Sequence, residues 1–159
     1  MERLAVFPGT FDPMTLGHLD IVKRASRIFD RVIVAVANSP SKKTLISLED
    51  RVLMAIDACA GLRNVSVEGF SGLLIDFLKA QKADFLVRGV RTVADYDYEI
   101  QLTGMYRAMM PELEIVMLPT SGHVSYISST LVREVLVHKG DIAHFVPEPV
   151  ALHISRKYK

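Results

Sequence analysis

The chain has 159 residues, room for one domain that buries a core of ordinary size. Half of them are hydrophobic and 23% are charged, which excludes a disordered chain. With 19 basic against 18 acidic residues the net charge is +1, so no general field serves nucleic acid and any anion site must be built locally.

Met1-Glu2-Arg3 and the apolar Leu4–Phe7 are too short for a signal peptide. Leu4–Phe7 predicts a first strand instead. His18, Ile21, Val22, Ala25 and Phe29 recur at helical spacing and predict the first helix. Val32–Ala37 predicts the second strand. Leu48, Val52, Ala55, Ile56 and Cys59 then share one face of a helix, with Ser47 and Asp50 at capping-box positions. Cys59, the one cysteine, reads as core; it forms no intrachain disulfide, as a reducing cytoplasm would allow. Val65–Val67 predicts a third strand, and Leu73, Leu74, Phe77 and Leu78 a third helix. Phe85–Val87 is the fourth strand, followed by a helix marked by Tyr98, Leu102, Met105 and Met109. After a fifth strand at Ile115–Leu118, Leu131, Val132, Val135 and Leu136 suggest a helix begun by Ser128 or Ser129. Pro147 opens a last helix toward Arg156.

The strand runs are short, continuous and rich in Val, Ile and Leu, as in parallel strands covered on both faces. Their alternation with helices predicts a doubly wound, Rossmann-like α/β fold: a parallel five-stranded sheet with helices on both faces. No repeat or linker divides the chain, so residues 1–159 form a single expected domain. No stretch reaches the roughly 18–20 apolar residues of a membrane span. A soluble, cytoplasmic protein without membrane or nucleic-acid partners is expected.

Ligands of such sheets bind beyond the carboxyl ends of the strands, where strand order reverses. Four segments stand there. The first runs from Pro8 through Gly9-Thr10-Phe11-Asp12-Pro13 to Gly17-His18. Its glycines permit close approach or positive φ, its prolines stiffen the turn, and the helix it opens presents free N–H groups to a phosphate. His18 either donates to that phosphate or merely packs, since it lies on the apolar stripe. The second, Asn38–Lys43, carries a lysine pair that by itself is ordinary solvated surface. The third is Arg88-Gly89-Val90-Arg91 followed by Asp95-Tyr96-Asp97-Tyr98-Glu99. Its guanidinium forks suit phosphate or carboxylate, or else pair with Asp95 or Asp97. The fourth, Ser121–Thr130, is hydroxyl-rich and opens a helix: a second anion cradle, or simply a good N-cap.

Together these segments resemble the HxGH nucleotidyltransferase superfamily, which opens on Gly-x-Phe-Asp-x-x-His-x-Gly-His. Gly9-Thr10-Phe11-Asp12 and Gly17-His18 match. Thr15 stands at the first histidine position, as is common in the phosphopantetheine adenylyltransferase branch, whereas cytidylyltransferases usually keep both histidines. Ser39-Pro40-Ser41-Lys42, Arg88-Gly89-Val90-Arg91 and Ser125–Thr130 are similar to further segments of that branch. The last is analogous to the mobile Lys-Met-Ser-Lys-Ser loop of class I aminoacyl-tRNA synthetases. The similarity continues through Gly140-Asp141 and Phe145-Val146-Pro147-Glu148.

The resemblance implies that ATP and 4′-phosphopantetheine give dephospho-coenzyme A and pyrophosphate. It implies catalysis by His18 and acceptor binding by Thr10, Lys42, Leu74 and Arg88; Leu74 reads equally well as core. For ATP it implies Thr10, Phe11, His18, Gly89, Val90, Arg91 and Glu99, then Val124, Ser125, Tyr126, Ile127, Ser128, Ser129 and Thr130. A glutamate such as Glu99 usually holds an arginine or a magnesium water, not phosphate itself. Mg2+ is expected on the ATP phosphates, held mainly by phosphate and water, with no protein metal site. His123 lies outside the match and has no assigned role. The family also implies a homohexamer and feedback binding of coenzyme A. The Met105, Met109 and Met110 cluster is expected, where exposed, to meet another subunit, and reads equally well as core packing. The acceptor phosphate is already ionised, so no general base is required, in keeping with a sequence that shows no paired-carboxylate or Ser-His-Asp pattern. Alignment and charge stabilisation would carry the reaction. A nicotinate-nucleotide adenylyltransferase is disfavoured by Thr15 and the Arg88–Arg91 segment. A non-catalytic nucleotide-binding module is disfavoured by intact His18 and Lys42.

Overall fold

Runs of Val, Ile, Leu and Ala become inner strands where helices cover both sides of a parallel sheet. The protein, described over residues 1–158 in a computed structural model, follows that rule. Its elements are β1 (Leu4–Gly9), α1 (Leu16–Ile28), β2 (Arg31–Asn38), α2 (Leu48–Ala58), β3 (Val65–Ser71) and α3 (Leu74–Gln81). They continue with β4 (Phe85–Val90), α4 (Val93–Met109), β5 (Glu114–Pro119), α5 (Ser129–Val137) and α6 (Glu148–Lys157). The strands form one parallel sheet in the order β3-β2-β1-β4-β5, with β1 in register against β2 (Val6 opposite Ile33) and β4 (Val6 opposite Leu86). Strand order therefore reverses between β1 and β4, and the crevice lies beyond their carboxyl ends.

Side chains alternate across the pleat and divide the core in two. Phe7, Val34 and Val87 point into the larger half, against Val22 of α1, Met54 of α2, Val132 of α5 and Val150 of α6. Leu4, Val6, Ile33 and Leu86 point into the smaller half, against Ile75 and Leu78 of α3. No helix among the described residues is long and apolar enough to cross a membrane.

The strands outrun their apolar runs at the carboxyl ends. Gly9 still pairs with Val36, Gly89 with Leu118, and Val90 with Pro119, so Arg88 and Gly89 belong to β4 and not to the loop after it. β3 extends to Ser71 instead of stopping at Val67. As an edge strand it is half exposed, and its polar alternation hides it from an apolar count.

α2 buries most of the expected face: Ala55 and Cys59 lie in the larger core, with Leu48 and Val52 packed against it. Ile56 is exposed instead, and Arg51 and Met54 are enclosed beside that face. Ser47 does cap the helix, accepting the Asp50 N–H at 3.2 Å. The reciprocal half of the capping box is absent. The Asp50 carboxylate instead accepts the Tyr158 hydroxyl and a 2.9 Å contact from Lys157 Nζ, which fastens α6 to α2. Those partners, Tyr158 first, hold its carboxyl down to about 2 against the opposing effect of burial.

Candidate active site

Beyond the carboxyl ends of β1, β2 and β4 lies an open cleft of about 1110 Å³. Its floor is the loop between β1 and α1. Thr15 caps α1, accepting the His18 N–H, and His18 returns the bond: its Nδ1 accepts the Thr15 N–H at 3.0 Å. This capping box has histidine where glutamate is usual. The helix therefore starts at Leu16, one residue before the glycine expected to open it. An accepting Nδ1 leaves the proton on Nε2, which has no partner among the described residues, and the ring lines the cleft. Burial, then the nearby Arg91 charge, lowers the imidazole pKa to about 4, so it is neutral at physiological pH. The ring is locked edge-on to Phe11, centroids 4.9 Å apart. Phe11 is left-handed (φ 49°), and its ring passes 2.9 Å from where a Cβ on Gly9 would stand, which is why that position needs glycine.

Two buried charges hold this loop from behind. The Asp12 carboxylate accepts the N–H groups of Leu45 and Ile46 at 2.9 and 3.0 Å. Arg51 donates to the carbonyls of Thr10, Ala37 and Ile46 at 2.7, 2.8 and 3.0 Å. It thus ties the β1 loop to the end of β2 and the approach to α2.

Cations line the walls. Lys42 Nζ lies 3.5 Å from Thr10 Oγ1. Arg88 is gripped bidentately by Glu99, both N···O distances 2.8 Å, the geometry that fixes a guanidinium plane. Glu99, expected on the nucleotide side, is the one buried residue of α4 and orients Arg88. Arg91 donates to the Ile127 carbonyl at 3.0 Å and pairs with Asp95 at 3.4 Å. Between these arginines Gly89 lines the cleft, and a Cβ there would press on Ile21 at 3.1 Å. Leu74 lines the apolar wall with Phe70 and Tyr106, packed against the smaller core.

The segment between β5 and α5 closes the far side. Ser128 caps α5 by accepting the Leu131 N–H, and Ser129 Oγ donates to the Pro13 carbonyl at 2.9 Å. Arg133, which sequence reasoning missed, donates to the Asp12 carbonyl at 2.8 Å and to Thr130 Oγ1 at 3.2 Å. Ile127, Ser128, Ser129 and Thr130 all reach the cleft. Val90, Val124, Ser125 and Tyr126 are not part of its lining: Val124 is buried in the larger core, Ser125 Oγ bonds the Gly122 carbonyl, and Tyr126 is exposed. His123 is exposed. Asp12 and Arg51 were also missed as site supports. Asp12 sat inside a recognised motif, but Arg51 gave no signal on a helix that also carries Glu49, Asp50 and Asp57.

Lys42, Arg88 and Arg91, a neutral N–H donor and the N-termini of α1 and α5 all reach one hollow, the equipment to bind a polyanion. Among the described residues no cluster of three or more His, Cys, Asp or Glu could hold a metal ion.

Residues 6–135 match the cytidylyltransferase-like family. A phosphopantetheine adenylyltransferase from Tolumonas auensis is 54% identical over 157 residues, covering 99% of this chain and 96% of the relative. One from Thioalkalivibrio sulfidiphilus is 53% identical, covering 99% of each. In fold, the chain is similar to a solved Vibrio parahaemolyticus structure, provisionally assigned as a nicotinate-nucleotide adenylyltransferase. The TM-score is 0.73 at 19% identity, over 98% of this chain and 93% of that one.

Proposed function

We infer that this cleft transfers adenylate from ATP to 4′-phosphopantetheine, because the chain belongs to the cytidylyltransferase-like family and, within it, to the phosphopantetheine adenylyltransferases. The products are dephospho-coenzyme A and pyrophosphate, a step of coenzyme A biosynthesis. One observation supports the mechanism above others: the carboxylates on the cleft are already engaged. Asp12 is held by two backbone N–H groups, Asp95 by Arg91, and Glu99 by Arg88. None is free to act as a base, and none is needed, since a phosphate monoester is largely dianionic at neutral pH (second pKa about 6).

In this reading Arg88, oriented by Glu99, binds the acceptor phosphate together with Lys42 and Thr10, while Leu74 lines the pantetheine arm. His18, Arg91 and the Ser128–Thr130 helix start bind the ATP phosphates. An acceptor oxygen attacks the α-phosphorus in line, and the bond from that phosphorus to the β-phosphate bridge breaks. The His18 Nε2–H donates to a phosphoryl oxygen as charge builds there. Because the cleft carboxylates are engaged, Mg2+ fits best as part of MgATP, where it supplies neutralisation of the phosphate charge.

With ATP and Mg2+, the protein should release pyrophosphate with 4′-phosphopantetheine. Plain pantetheine should give no detectable turnover, because it lacks the phosphate whose oxygen is the nucleophile and offers only a neutral hydroxyl that no base in the cleft activates. Equal turnover of both acceptors, or preference for nicotinate mononucleotide, defeats the assignment.

Self-association belongs to the same proposal. Tyr98, Met105 and Met109 form an exposed stripe on α4, while Met110, just past the helix, is buried and counts as core. Exposed methionines in a row suit an adaptable contact between copies, and the family expectation is a hexamer. Light scattering should give a multiple of the chain mass that Met105→Glu reduces; a monomer at micromolar concentration removes the idea. A cytoplasmic setting and competition by coenzyme A, which carries the same pantetheine arm, complete the proposal.

A further inference from the structure

The loop from Thr120 to Ser128 touches the cleft at both ends, through Thr120 and Ile127, and is exposed between them at Gly122, His123 and Tyr126. Its carboxyl end is fastened by Arg91 and Ser129, which are cleft residues themselves. Its amino end is fastened from outside the cleft. Asp20 of α1 accepts the Ser121 hydroxyl at 2.9 Å and the Ser121 N–H at 3.0 Å, and Arg24 at 3.0 Å. Arg24 also donates to the Pro119 carbonyl at 2.7 Å.

We propose that Asp20 is a positioning residue for the nucleotide, holding the amino end of this loop in the shape that lets the loop meet ATP. Asp20 sits two residues after His18, so one helix carries both the imidazole that faces the reacting phosphate and the clamp that sets the opposite wall. Beyond Ser121 the loop bonds to itself, the Val124 N–H donating to the Ser121 carbonyl at 3.0 Å and Ser125 Oγ to the Gly122 carbonyl at 3.1 Å, so the contacts of Asp20 with Ser121 are what tie this turn to α1 by hydrogen bonds. The Thr120 N–H continues the sheet ladder to the Val90 carbonyl at 2.9 Å, so loss of Asp20 loosens the amino end of the loop and leaves the sheet intact. Burial works against the charged form, but the bonds from Ser121 and Arg24 outweigh it and hold the carboxyl below its ordinary range. Asp20 is therefore an acceptor throughout the neutral pH range.

This inference rests on the adenylyl-transfer reading, which gives the loop to ATP, and the test separates the two. Calorimetric binding of ATP and steady-state turnover are measured for the unaltered protein, Asp20→Ala, Asp20→Asn and Ser121→Ala. ATP dissociation constants should rise about tenfold in Asp20→Ala and about threefold in the two milder variants, since each lost bond is worth a fraction of a tenfold step. Asp20→Asn rescues partly because its carbonyl still accepts one Ser121 bond. The KM for 4′-phosphopantetheine should stay within about twofold, because the acceptor wall on β4 is untouched. Unchanged ATP affinity in all three variants overturns the assignment. So does an equal loss for ATP and acceptor, the mark of a merely structural role. Should Asp20→Ala fail to fold, the other two variants carry the same comparison. An unaltered protein that makes no dephospho-coenzyme A removes the adenylyl-transfer reading instead, while its ATP affinities still judge Asp20.

Discussion

His18→Ala should lower kcat about 10²–10³-fold while ATP binds nearly as before, because the donor acts mainly as charge develops in the transition state. The structure makes this experiment sharper than a lone histidine would allow. Nδ1 is committed to the Thr15 N–H, so the substitution also removes half of a helix cap, at a cost of about 1 kcal/mol. A melting temperature lower by roughly 2–4 °C is therefore expected and does not count against catalysis. A second readout comes from protonation. The native imidazole titrates near 4, against about 6.5 in the unfolded chain. Between those values the unfolded state binds the extra proton, so this contribution to stability is complete above about 6.5 and is lost as pH falls toward 4. His18→Ala should flatten that part of the stability profile. The unaltered enzyme should show no fall in kcat from His18 protonation between pH 8 and about 5.5, since the donor stays neutral there. Retention of more than about a third of kcat, far above the expected loss, would falsify the mechanism.

The strands were legible because burial on both faces leaves no room for polar residues in their middles. Val32, Ile33, Val34, Ala35 and Val36 are all fully enclosed, and the run announced itself. Strand ends were not legible, because the parallel ladder continues through residues chosen for the cleft: Pro8 and Gly9 in β1, Arg88 and Gly89 in β4. Helix α4 shows a different limit. Its Tyr98–Met109 stripe is visible as a period, but a period does not say whether a helix faces its own sheet or the outside. Here the one buried residue is the acid that holds Arg88.

The site was legible where the chemistry needs particular side chains in one short segment, as in Gly17-His18 or Arg88-Gly89-Val90-Arg91. It was hidden where support arrives from distant sequence. Arg133 reaches Asp12 across 121 positions, and Asp20 reaches Ser121 across 101. Nothing in either neighbourhood marks the pairing; only the fold brings them together.

Arg51 is the extreme of that class, and its removal should produce the largest loss of stability. Its side chain is 1% exposed, and its donors satisfy three carbonyls that belong to different segments. In Arg51→Met the volume is roughly kept, but the carbonyls of Thr10, Ala37 and Ile46 lose their donor, the Ile46 carbonyl in the interior and the other two at the part-buried rear of the cleft. An acceptor left unpaired away from water costs about 1–3 kcal/mol, so three of them together cost about 3 kcal/mol or more. For a chain of this size that corresponds to a melting temperature lower by roughly 10 °C or more. Arg51→Lys keeps the charge but offers one ammonium in place of a planar fork, so it should fall between. The loss should also reach the cleft, because the Thr10 carbonyl is one of the three. Protein that remains folded should bind the acceptor more weakly, with Lys42 and Thr10 no longer held 3.5 Å apart. Urea denaturation measures the first effect and the KM for 4′-phosphopantetheine the second. A loss of stability below about 1 kcal/mol, the level of an ordinary substitution, would mean the three carbonyls find other donors. The β1 loop would then be shaped by Asp12 and its own glycine and prolines, without the buried arginine.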